Sequence, residues 1–449
     1  MERKRISLPA LINMEAFCLV LLGGALLTWL EPKHNVSEAE KRALAPFPTF
    51  SFEMLFEGKY TDSLDLYYAD HFAHRDSWID FARTLKTNFG FRKNDLMVYQ
   101  TDNPMFVNAD SLKIDSLEFD TLKTPREIKK DPTGRPPEMK NSIMIYNGMA
   151  FQLFGRYNEA EKNFANTINL YKQKLSDSVR VFVCVVPSPI DFYLPEEYKS
   201  KSNHEKPSID FIYSQLNNNV LTVDAYRYLE ANADDFLYFK TDHHWTVRGA
   251  HQAYQAFCAK AGFEAVPLHS FKRHVRKSFL GSLYDITLDQ RLKASGDSLE
   301  YFTLPIDVIG QRYPDRNLKK IIKTDVVSKR LGQAGSYLAF LGGDYPLTRI
   351  ISANRNGKKL LMIKDSYGNA MAPFLALHYQ EVFIVDYRSF DSNIIDFIRK
   401  NNVNDLLFLH NVAIVNAKYT ASREASLTHA KDLDPQVLPD TVQWEPAIF

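Results

Sequence analysis

An α/β fold built on a parallel sheet is predicted for most of this chain by three features of its sequence. The run 179–186 is almost entirely apolar and rich in β-branched residues, as expected of a strand buried on both faces. Similar short runs follow at 360–363, 382–385 and 406–409. Apolar residues at helical spacing occupy 394–398, so strand, helix and strand alternate as in crossover connections of a doubly wound sheet.

Two helix faces flank these strands. The first precedes the run 179–186, with apolar residues at steps of four, three and four: Phe164, Ile168, Tyr171 and Leu175. The second has the apolar residues Val247, Ala250, Tyr254 and Phe257. Both patterns predict helices that pack on the sheet.

The remaining sequence divides into segments of different composition. We predict a cytoplasmic tip and transmembrane anchor at 1–30, a linker and helical segment at 31–90, the α/β domain at 91–425 and a C-terminal tail at 426–449. The α/β domain contains two predicted insertions, one polar and proline-bearing and one mixed and basic: 108–140 and 265–350.

The composition excludes some classes of protein. The chain has 449 residues, with 55 basic and 54 acidic side chains, so its net charge does not indicate a nucleic-acid partner. Cys18, Cys184 and Cys258 have neither metal-site nor disulfide-framework spacing and are interpreted as buried thiols. No cofactor is predicted.

The N-terminus predicts a single-pass membrane anchor. Arg3, Lys4 and Arg5 precede an apolar stretch that extends from about Ile6 to Leu30, long enough to span a bilayer. A cleaved signal peptide and a buried core helix are the alternatives. With an anchor or a signal peptide, everything after residue 31 lies on the extracytoplasmic side, which in the first case predicts an inner-membrane protein with a periplasmic domain.

Ser366 is the first candidate for chemistry. It follows the apolar run that ends at Ile363, and ligands of open parallel sheets bind at the carboxyl ends of strands. A helix is expected from Ala370 to Leu377, with Pro373 tolerable only in its first turn. The backbone N–H of Ser366 would then help to stabilise an oxyanion. An N-cap serine is the alternative.

The string Asp242-His243-His244-Trp245 is the second candidate. It follows an aromatic run and precedes a helix face, so the loop is short and held at both ends. An aspartate two residues before a histidine can orient that histidine as the base of a serine nucleophile. A metal site and a structural polar turn are the alternatives, although no other His or Cys cluster supports a metal.

Further candidates lie at strand ends. Asn411 follows the strand ending at Leu409 and is a candidate oxyanion donor, while Arg388 follows Val385 and is a candidate anion ligand. Either is alternatively a surface loop residue. A second string rich in acids and imidazoles, Asp70–Asp76, lies outside the α/β core and is interpreted as structural or as a domain contact.

These motifs resemble the bacterial DHHW family, relatives of the alginate O-acetylation proteins AlgX and AlgJ within the SGNH hydrolase superfamily. The likeness extends from about residue 37 to 412. Its motifs are Ser37–Leu44 with Phe47-Pro48, Val186–Ser188, Phe340–Asp344, Asp242–Trp245, Lys364–Tyr367 and Val385–Arg388. Lys364 stands where the serine motif of the superfamily usually has glycine.

The resemblance implies a flavodoxin-like SGNH-hydrolase fold with a permuted motif order, because the Asp–His loop precedes the serine. By the same resemblance Ser366 is the nucleophile, His244 the general base and Asp242 its orienting carboxylate. His243, Tyr367 and Arg388 are then candidates for substrate binding. The acetyl group is expected from a membrane-bound O-acyltransferase partner, and the acceptor is an exported polysaccharide.

Three functions are compatible with these residues. The leading hypothesis is a serine O-acetyltransferase with an acetyl-serine intermediate. A carbohydrate acetylesterase would use the same three residues with water as the acceptor. A non-catalytic scaffold subunit of a polysaccharide-modification complex would need none of them.

Overall fold

The structure is a computed structural model that describes residues 8–30, 36–37, 42–43, 46–56, 59–75, 77–78, 81, 138–140, 143–328 and 336–432. It contains two compact units, Met1–Asp95 and Leu96–Phe449. Residues 108–137 of the predicted polar insertion and 433–449 of the predicted tail lie outside the described residues.

The first unit is mainly helical. Its elements are α1 (Leu8–Leu30), β1 (Val36–Ser37), β2 (Arg42–Ala43), α2 (Phe52–Phe56) and α3 (Lys59–Asp70). β1 and β2 pair antiparallel. Within the part of the chain that the structure describes, no helix has the length and hydropathy needed to cross a membrane.

The Asp70–Asp76 string begins at the end of α3. His71 Nδ1 lies 2.9 Å from the carbonyl oxygen of Tyr67, and the two rings stack with centroids 4.3 Å apart. These contacts agree with a structural role for His71.

The second unit contains the remaining described strands and helices. Its strands are β3 (Glu138–Lys140), β4 (Ile143–Tyr146), β5 (Met149–Gln152), β6 (Arg180–Val186), β7 (Val220–Thr222), β8 (Lys272–Phe279), β9 (Asp297–Thr303), β10 (Val308–Tyr313), β11 (Ile322–Thr324), β12 (Leu347–Ser352), β13 (Lys359–Lys364), β14 (Glu381–Asp386) and β15 (Asp405–Asn411). Its α-helices are α4 (Asn158–Lys174), α5 (Ile190–Tyr193), α6 (Glu196–Lys199), α7 (Lys206–Ser214), α8 (Ala225–Ala231), α9 (Val247–Ala261), α10 (Ser282–Thr287), α11 (Gln290–Ser295), α12 (Gly368–Leu375), α13 (Ile394–Lys400), α14 (Val412–Val415) and α15 (Lys418–Leu427).

A central sheet of eight strands organises this unit. Its order is β11-β10-β12-β14-β13-β15-β6-β7, and the five strands from β14 to β7 are parallel. If β13 is numbered 1, β14 is 2, β15 is 3, β6 is 4 and β7 is 5, the spatial order of these five strands is 2-1-3-4-5. That is the order of flavodoxin-like sheets. The four strands predicted from apolar runs are therefore confirmed as neighbours in one mixed α/β fold.

Both faces of the sheet are buried at its central strands, β12, β14, β13, β15 and β6. In β6 the side chains of Val181, Val183 and Val185 join one hydrophobic cluster, to which α4, α7 and α13 contribute. Phe182 and Cys184 point to the opposite face and pack with residues of α9 and α12. Helices on both faces exclude water from all positions of the strand after Arg180, which explains its uninterrupted apolar run from Val181 to Val186.

The segment 265–350 was predicted as an insertion, and the structure corrects this in part. β8 and β9 form a separate antiparallel pair, but β10, β11 and β12 extend the central sheet through antiparallel pairing. The sequence pattern missed β10 because its strand Val308–Tyr313 is only partly buried and has no continuous apolar run.

α12 also differs from its prediction. It begins at Gly368 and ends at Leu375, and Pro373 is its sixth residue, beyond the first turn. Proline there costs the helix one backbone hydrogen bond. Every residue of α12 is buried, so packing against the sheet outweighs that loss.

Candidate active site

The Asp242–Trp245 string forms a tight turn between two fixed ends. Tyr238 and Trp245 form an antiparallel bridge, and the N–H of Thr246 donates to the carbonyl oxygen of Leu237 at 2.8 Å. Thr246 also caps α9, because its Oγ1 accepts from the N–H of Arg248. The turn is therefore anchored to a buried helix.

Asp242, His244 and Ser366 form a continuous chain of hydrogen bonds. Asp242 Oδ1 lies 2.6 Å from His244 Nδ1, and His244 Nε2 lies 2.7 Å from Ser366 Oγ. Asp242 Oδ1 also accepts from the backbone N–H of His244 at 2.9 Å. A neutral His244 with its proton on Nδ1 leaves Nε2 free to accept the hydroxyl proton of Ser366.

Asp242 is held ionised. Its burial alone would raise its pKa, but His244 and the N–H of Ser282, which donates to Oδ2 at 2.8 Å, outweigh burial and hold the pKa well below the ordinary value. A Cβ at Gly281 would lie 2.2 Å from Cβ of Asp242, so only glycine leaves room for this carboxylate.

Asp297 binds the backbone just before the turn through its carboxylate. Its carboxylate accepts from the N–H groups of Lys240 and Thr241 and from Thr241 Oγ1, the last at 2.6 Å. Asp297, Ser282 and Gly281 all come from the segment 265–350. Sequence reasoning missed them because no spacing links them to the Asp242 string.

Tyr337 covers His244 from the other side. The two rings stack with centroids 3.8 Å apart, and the Tyr337 hydroxyl donates to the carbonyl oxygen of Ser366 at 3.2 Å. Trp245 Nε1 donates to the carbonyl oxygen of Tyr367 at 3.0 Å. These contacts fix the base and the serine loop relative to each other. Nothing in the sequence pattern around Tyr337 indicated this role.

Ser366 lies in the turn between β13 and α12. The carboxylate of Asp365 accepts from the N–H groups of Tyr367 and Asn411 at 2.9 and 2.7 Å, which ties the turn to the end of β15. No hydrogen bond joins the N–H of Ser366 to an acceptor in the described residues. That N–H can donate to a ligand oxygen.

Asn411 ends β15 and lines the same cleft as Ser366. Its Oδ1 accepts from the N–H of Ala413 at 3.0 Å, and its Nδ2 donates to the carbonyl oxygen of Val186 at 3.2 Å. An amide NH₂ has two hydrogens, so one of them remains for a ligand.

The cleft beside Ser366 has a cavity volume of ≈ 20 Å³. His243 and Tyr367, both predicted substrate contacts, line it together with the apolar side chains of Leu153, Phe154 and Leu283. The cleft lies at the carboxyl ends of β6, β13 and β15, where ligands of parallel sheets bind.

The carboxyl group of Glu205 also lines this cleft. Burial and the neighbouring Asp191 raise the pKa of Glu205 to about 8, against hydrogen bonds from Ser188. The N–H of Ser188 donates to Glu205 Oε2 at 2.6 Å. Glu205 therefore adds no full charge to the cleft at neutral pH.

The predicted anion ligand Arg388 lies elsewhere. Its guanidinium donates to Asp386 Oδ1 at 2.8 Å and to Asp344 Oδ2 at 2.9 Å, and it is not among the residues that line the cleft. Lys364 is buried in the same cluster, 2.5 Å from Asp344. Asp344 and Asp386 thus already pair with Arg388, and a contact between Arg388 and substrate stays a prediction.

Gly368 lies against the side chain of Lys364 in this ion-pair cluster. A Cβ at Gly368 would lie 2.7 Å from Cβ of Lys364. Glycine is therefore needed beside the lysine that replaces the usual glycine of the serine motif.

A buried cationic histidine lies behind the serine loop. His410 Nε2 is 2.8 Å from Glu424 Oε1, and its Nδ1 is 3.8 Å from Asp365 Oδ2. Burial lowers the pKa of His410, but these two carboxylates outweigh burial and raise it to about 9. His410 therefore stabilises the charge of Asp365, which orients the N–H groups around Ser366.

The metal alternative depends on Asp242, His243 and His244. One ligand atom from each lies within 4.8 Å of the others, which is compatible with a metal ion. However, Asp242 Oδ1 and both ring nitrogens of His244 already take part in the hydrogen bonds that end at Ser366. A metal on these atoms would have to displace them, so the geometry favours serine chemistry.

Comparison with known families and structures adds independent information. A family profile described as "DHHW protein" matches residues 40–98 and 95–385. A DHHW family protein from Eubacterium siraeum DSM 15702 superposes with a TM-score of 0.60 at 31% sequence identity, covering 66% of this chain and 98% of that chain. Comparison with curated proteins gives no match.

More distant structures share the fold. Bacillus cereus PatB1 superposes with a TM-score of 0.52 at 20% identity, covering 62% of this chain and 97% of that chain. PatB1 with a sulfonyl adduct gives 0.51 at 19% identity, with 61% and 97% covered. The O-acetyltransferase domain of Pseudomonas putida AlgJ gives 0.33 at 15% identity, with 66% and 94% covered, which is too low to indicate a shared fold by itself.

Proposed function

The chain belongs to the DHHW protein family, and we propose that it is an extracytoplasmic serine O-acetyltransferase that acts on an exported or cell-envelope polysaccharide. The observation that carries the proposal is the chain of hydrogen bonds from Asp242 through His244 to Ser366. This series of hydrogen bonds ends in a cleft at the carboxyl ends of three parallel strands.

In the first half-reaction Ser366 takes the acetyl group. His244 Nε2 accepts the hydroxyl proton while Ser366 Oγ attacks the acetyl carbonyl carbon of the donor. The N–H of Ser366 and the side chain of Asn411 stabilise the oxyanion of the tetrahedral intermediate. His244 then returns the proton to the leaving oxygen of the donor, and acetyl-serine remains.

In the second half-reaction a sugar hydroxyl replaces the donor. His244 accepts its proton, and the sugar oxygen attacks the acetyl-serine carbonyl carbon. The bond to Ser366 Oγ breaks, and Ser366 regains a proton from His244. Asp242 stays ionised throughout, because its low pKa keeps it an acceptor for the imidazolium that forms in both halves.

The fold supports membership of the SGNH hydrolase superfamily with a permuted motif order. Ser366 follows β13, which is strand 1 in the order 2-1-3-4-5. The Asp–His loop follows β7, which is strand 5 in that order. In the chain, the Asp–His loop nevertheless comes first. The strand order is therefore that of a flavodoxin-like sheet whose chain begins at its fourth strand.

The cellular setting belongs to the same proposal. A membrane anchor within residues 1–30 would keep the enzyme at the inner membrane with its α/β unit in the periplasm. A membrane-bound O-acyltransferase would supply the acetyl group there. The apolar stretch after Arg3, Lys4 and Arg5 supports the anchor.

The product of the second half-reaction tests transfer against hydrolysis. Full-length protein in detergent would be incubated with 4-nitrophenyl acetate and a mixture of neutral oligosaccharides. The proposal predicts acetylated oligosaccharide that is absent with Ser366→Ala. Free acetate without acetylated sugar would indicate an esterase, and unchanged polysaccharide acetylation in cells that express Ser366→Ala would indicate a scaffold.

A further inference from the structure

His243 has a buried nitrogen that the proposed mechanism does not use. The residue lines the cleft with Ser366, and its Nε2 has no hydrogen-bond partner among the described residues. Buried polar atoms are normally paired, so an unpaired one in a cleft is typical of a group that pairs with a ligand.

The contact with Ser282 bears on whether His243 Nε2 carries the ring proton. Ser282 Oγ lies 2.5 Å from His243 Nδ1 and accepts weakly from the N–H of His243 at 3.5 Å. In the tautomer that the inference uses, the Ser282 hydroxyl donates to His243 Nδ1 and the ring proton of neutral His243 is on Nε2.

His243 remains neutral beside the charged chain. Burial and the neighbouring His244 lower the pKa of His243 to about 4, and its Nδ1 is 4.0 Å from Asp242 Oδ1. The nearer carboxylate contact belongs to His244. His243 therefore does not compete with His244 for a proton, and it offers an N–H donor.

The position of His243 indicates which part of the substrate it meets. Its ring lies against that of His244, with centroids 3.8 Å apart. The base must reach the oxygen that leaves or enters the acyl carbon, whereas Asn411 and the N–H of Ser366 serve the carbonyl oxygen. His243 is thus beside the entering alcohol.

From this geometry we infer that His243 Nε2–H binds a second oxygen of the acceptor sugar, next to the hydroxyl that receives the acetyl group. This acceptor contact rests on the proposed function. It would favour sugar over water in the second half-reaction, because water has no second oxygen to bind. His243 would therefore set the ratio of transfer to hydrolysis.

Three variants test this role. His243→Leu removes the donor, and His243→Gln replaces it with an amide N–H near the same position. Ser282→Ala keeps the backbone N–H that binds Asp242 but no longer fixes the ring proton. Each is compared with the wild type using 4-nitrophenyl acetate and neutral oligosaccharides, by the rate of acetyl-serine formation and by the transfer-to-hydrolysis ratio.

The expected result is a selective loss. In His243→Leu the transfer-to-hydrolysis ratio falls about 10-fold through a higher KM for the sugar, as for one lost hydrogen bond, and this fall exceeds any loss in the rate of acetyl-serine formation. His243→Gln recovers most of the ratio, and Ser282→Ala lies between.

Other results overturn the inference in distinguishable ways. An unchanged ratio in His243→Leu, an equal loss in both half-reactions, or no recovery in His243→Gln would each contradict the acceptor contact alone. A wild type that forms no acetyl-serine, or forms it and acetylates no sugar, would contradict the proposed function and the inference with it.

Discussion

The ring of Tyr337 lies flat on the ring of His244, with centroids 3.8 Å apart and planes inclined by 5°. The hydroxyl of the same Tyr337 donates a hydrogen bond to the carbonyl oxygen of Ser366. One side chain therefore fixes both the proposed base and the loop of the proposed nucleophile.

Replacing Tyr337 separates these two contacts. Tyr337→Phe keeps the stacked ring and loses only the hydrogen bond, so we expect kcat to fall a few-fold. Tyr337→Ala frees the imidazole, and small misplacements of reacting groups cost up to about 100-fold in rate. The measurement is kcat with 4-nitrophenyl acetate, with thermal unfolding as the control. Equal activity of both variants would exclude a positioning role for the ring.

Gly281→Ala tests how tightly Asp242 is held. The added methyl would lie 2.2 Å from Cβ of Asp242, so the carboxylate must move away from His244. We expect kcat to fall by about 100-fold. Gly24→Ala is the matched control, because an added Cβ there meets nothing within 4 Å. Wild-type activity in Gly281→Ala would show that the backbone moves instead.

Asn411→Ala tests the proposed oxyanion donor. Loss of one such donor typically lowers kcat by about 10²–10³-fold with little change in KM. Asn411→Asp keeps the acceptor of the Ala413 N–H but lacks the donor, so it separates the two roles of the side chain. An active Asn411→Asp variant would rule out oxyanion stabilisation by Asn411.

The titration of His410 lowers the free energy of unfolding as the pH becomes alkaline. Its folded pKa of about 9 is above its ordinary value of 6.5, so its contribution to the free energy of unfolding is complete below 6.5 and is lost as pH rises through 9. The size is about 3 kcal/mol. Urea unfolding at pH 6.5 and pH 9.5 measures it. The paired variant His410→Gln/Glu424→Gln should lose most of this difference, and an unchanged difference would assign it to other groups.

Much of this architecture could be predicted from the sequence because its signal is local. The strand Arg180–Val186 and the helix Val247–Ala261 each carry their own apolar pattern, and the buried sheet and its helices follow from such patterns. The Asp242 string and Ser366 could be found because each stands directly beside such an element.

The supporting residues carry no comparable signal. Asp297, Gly281 and Tyr337 act through tertiary contacts with residues 29 to 93 positions away, and their own neighbours show no motif. Arg388 was predicted as an anion ligand from its position after a strand, which does not reveal that Asp344 and Asp386 already neutralise it.

The most direct test of the account is the covalent state of Ser366. Full-length protein would be incubated with 4-nitrophenyl acetate, quenched in acid and analysed by intact mass and peptide mapping, with Ser366→Ala in parallel. The account predicts one added acetyl group, located on Ser366 and missing from the variant. An acetyl group that persists in Ser366→Ala, or turnover of the ester without any acetyl-serine, would contradict it.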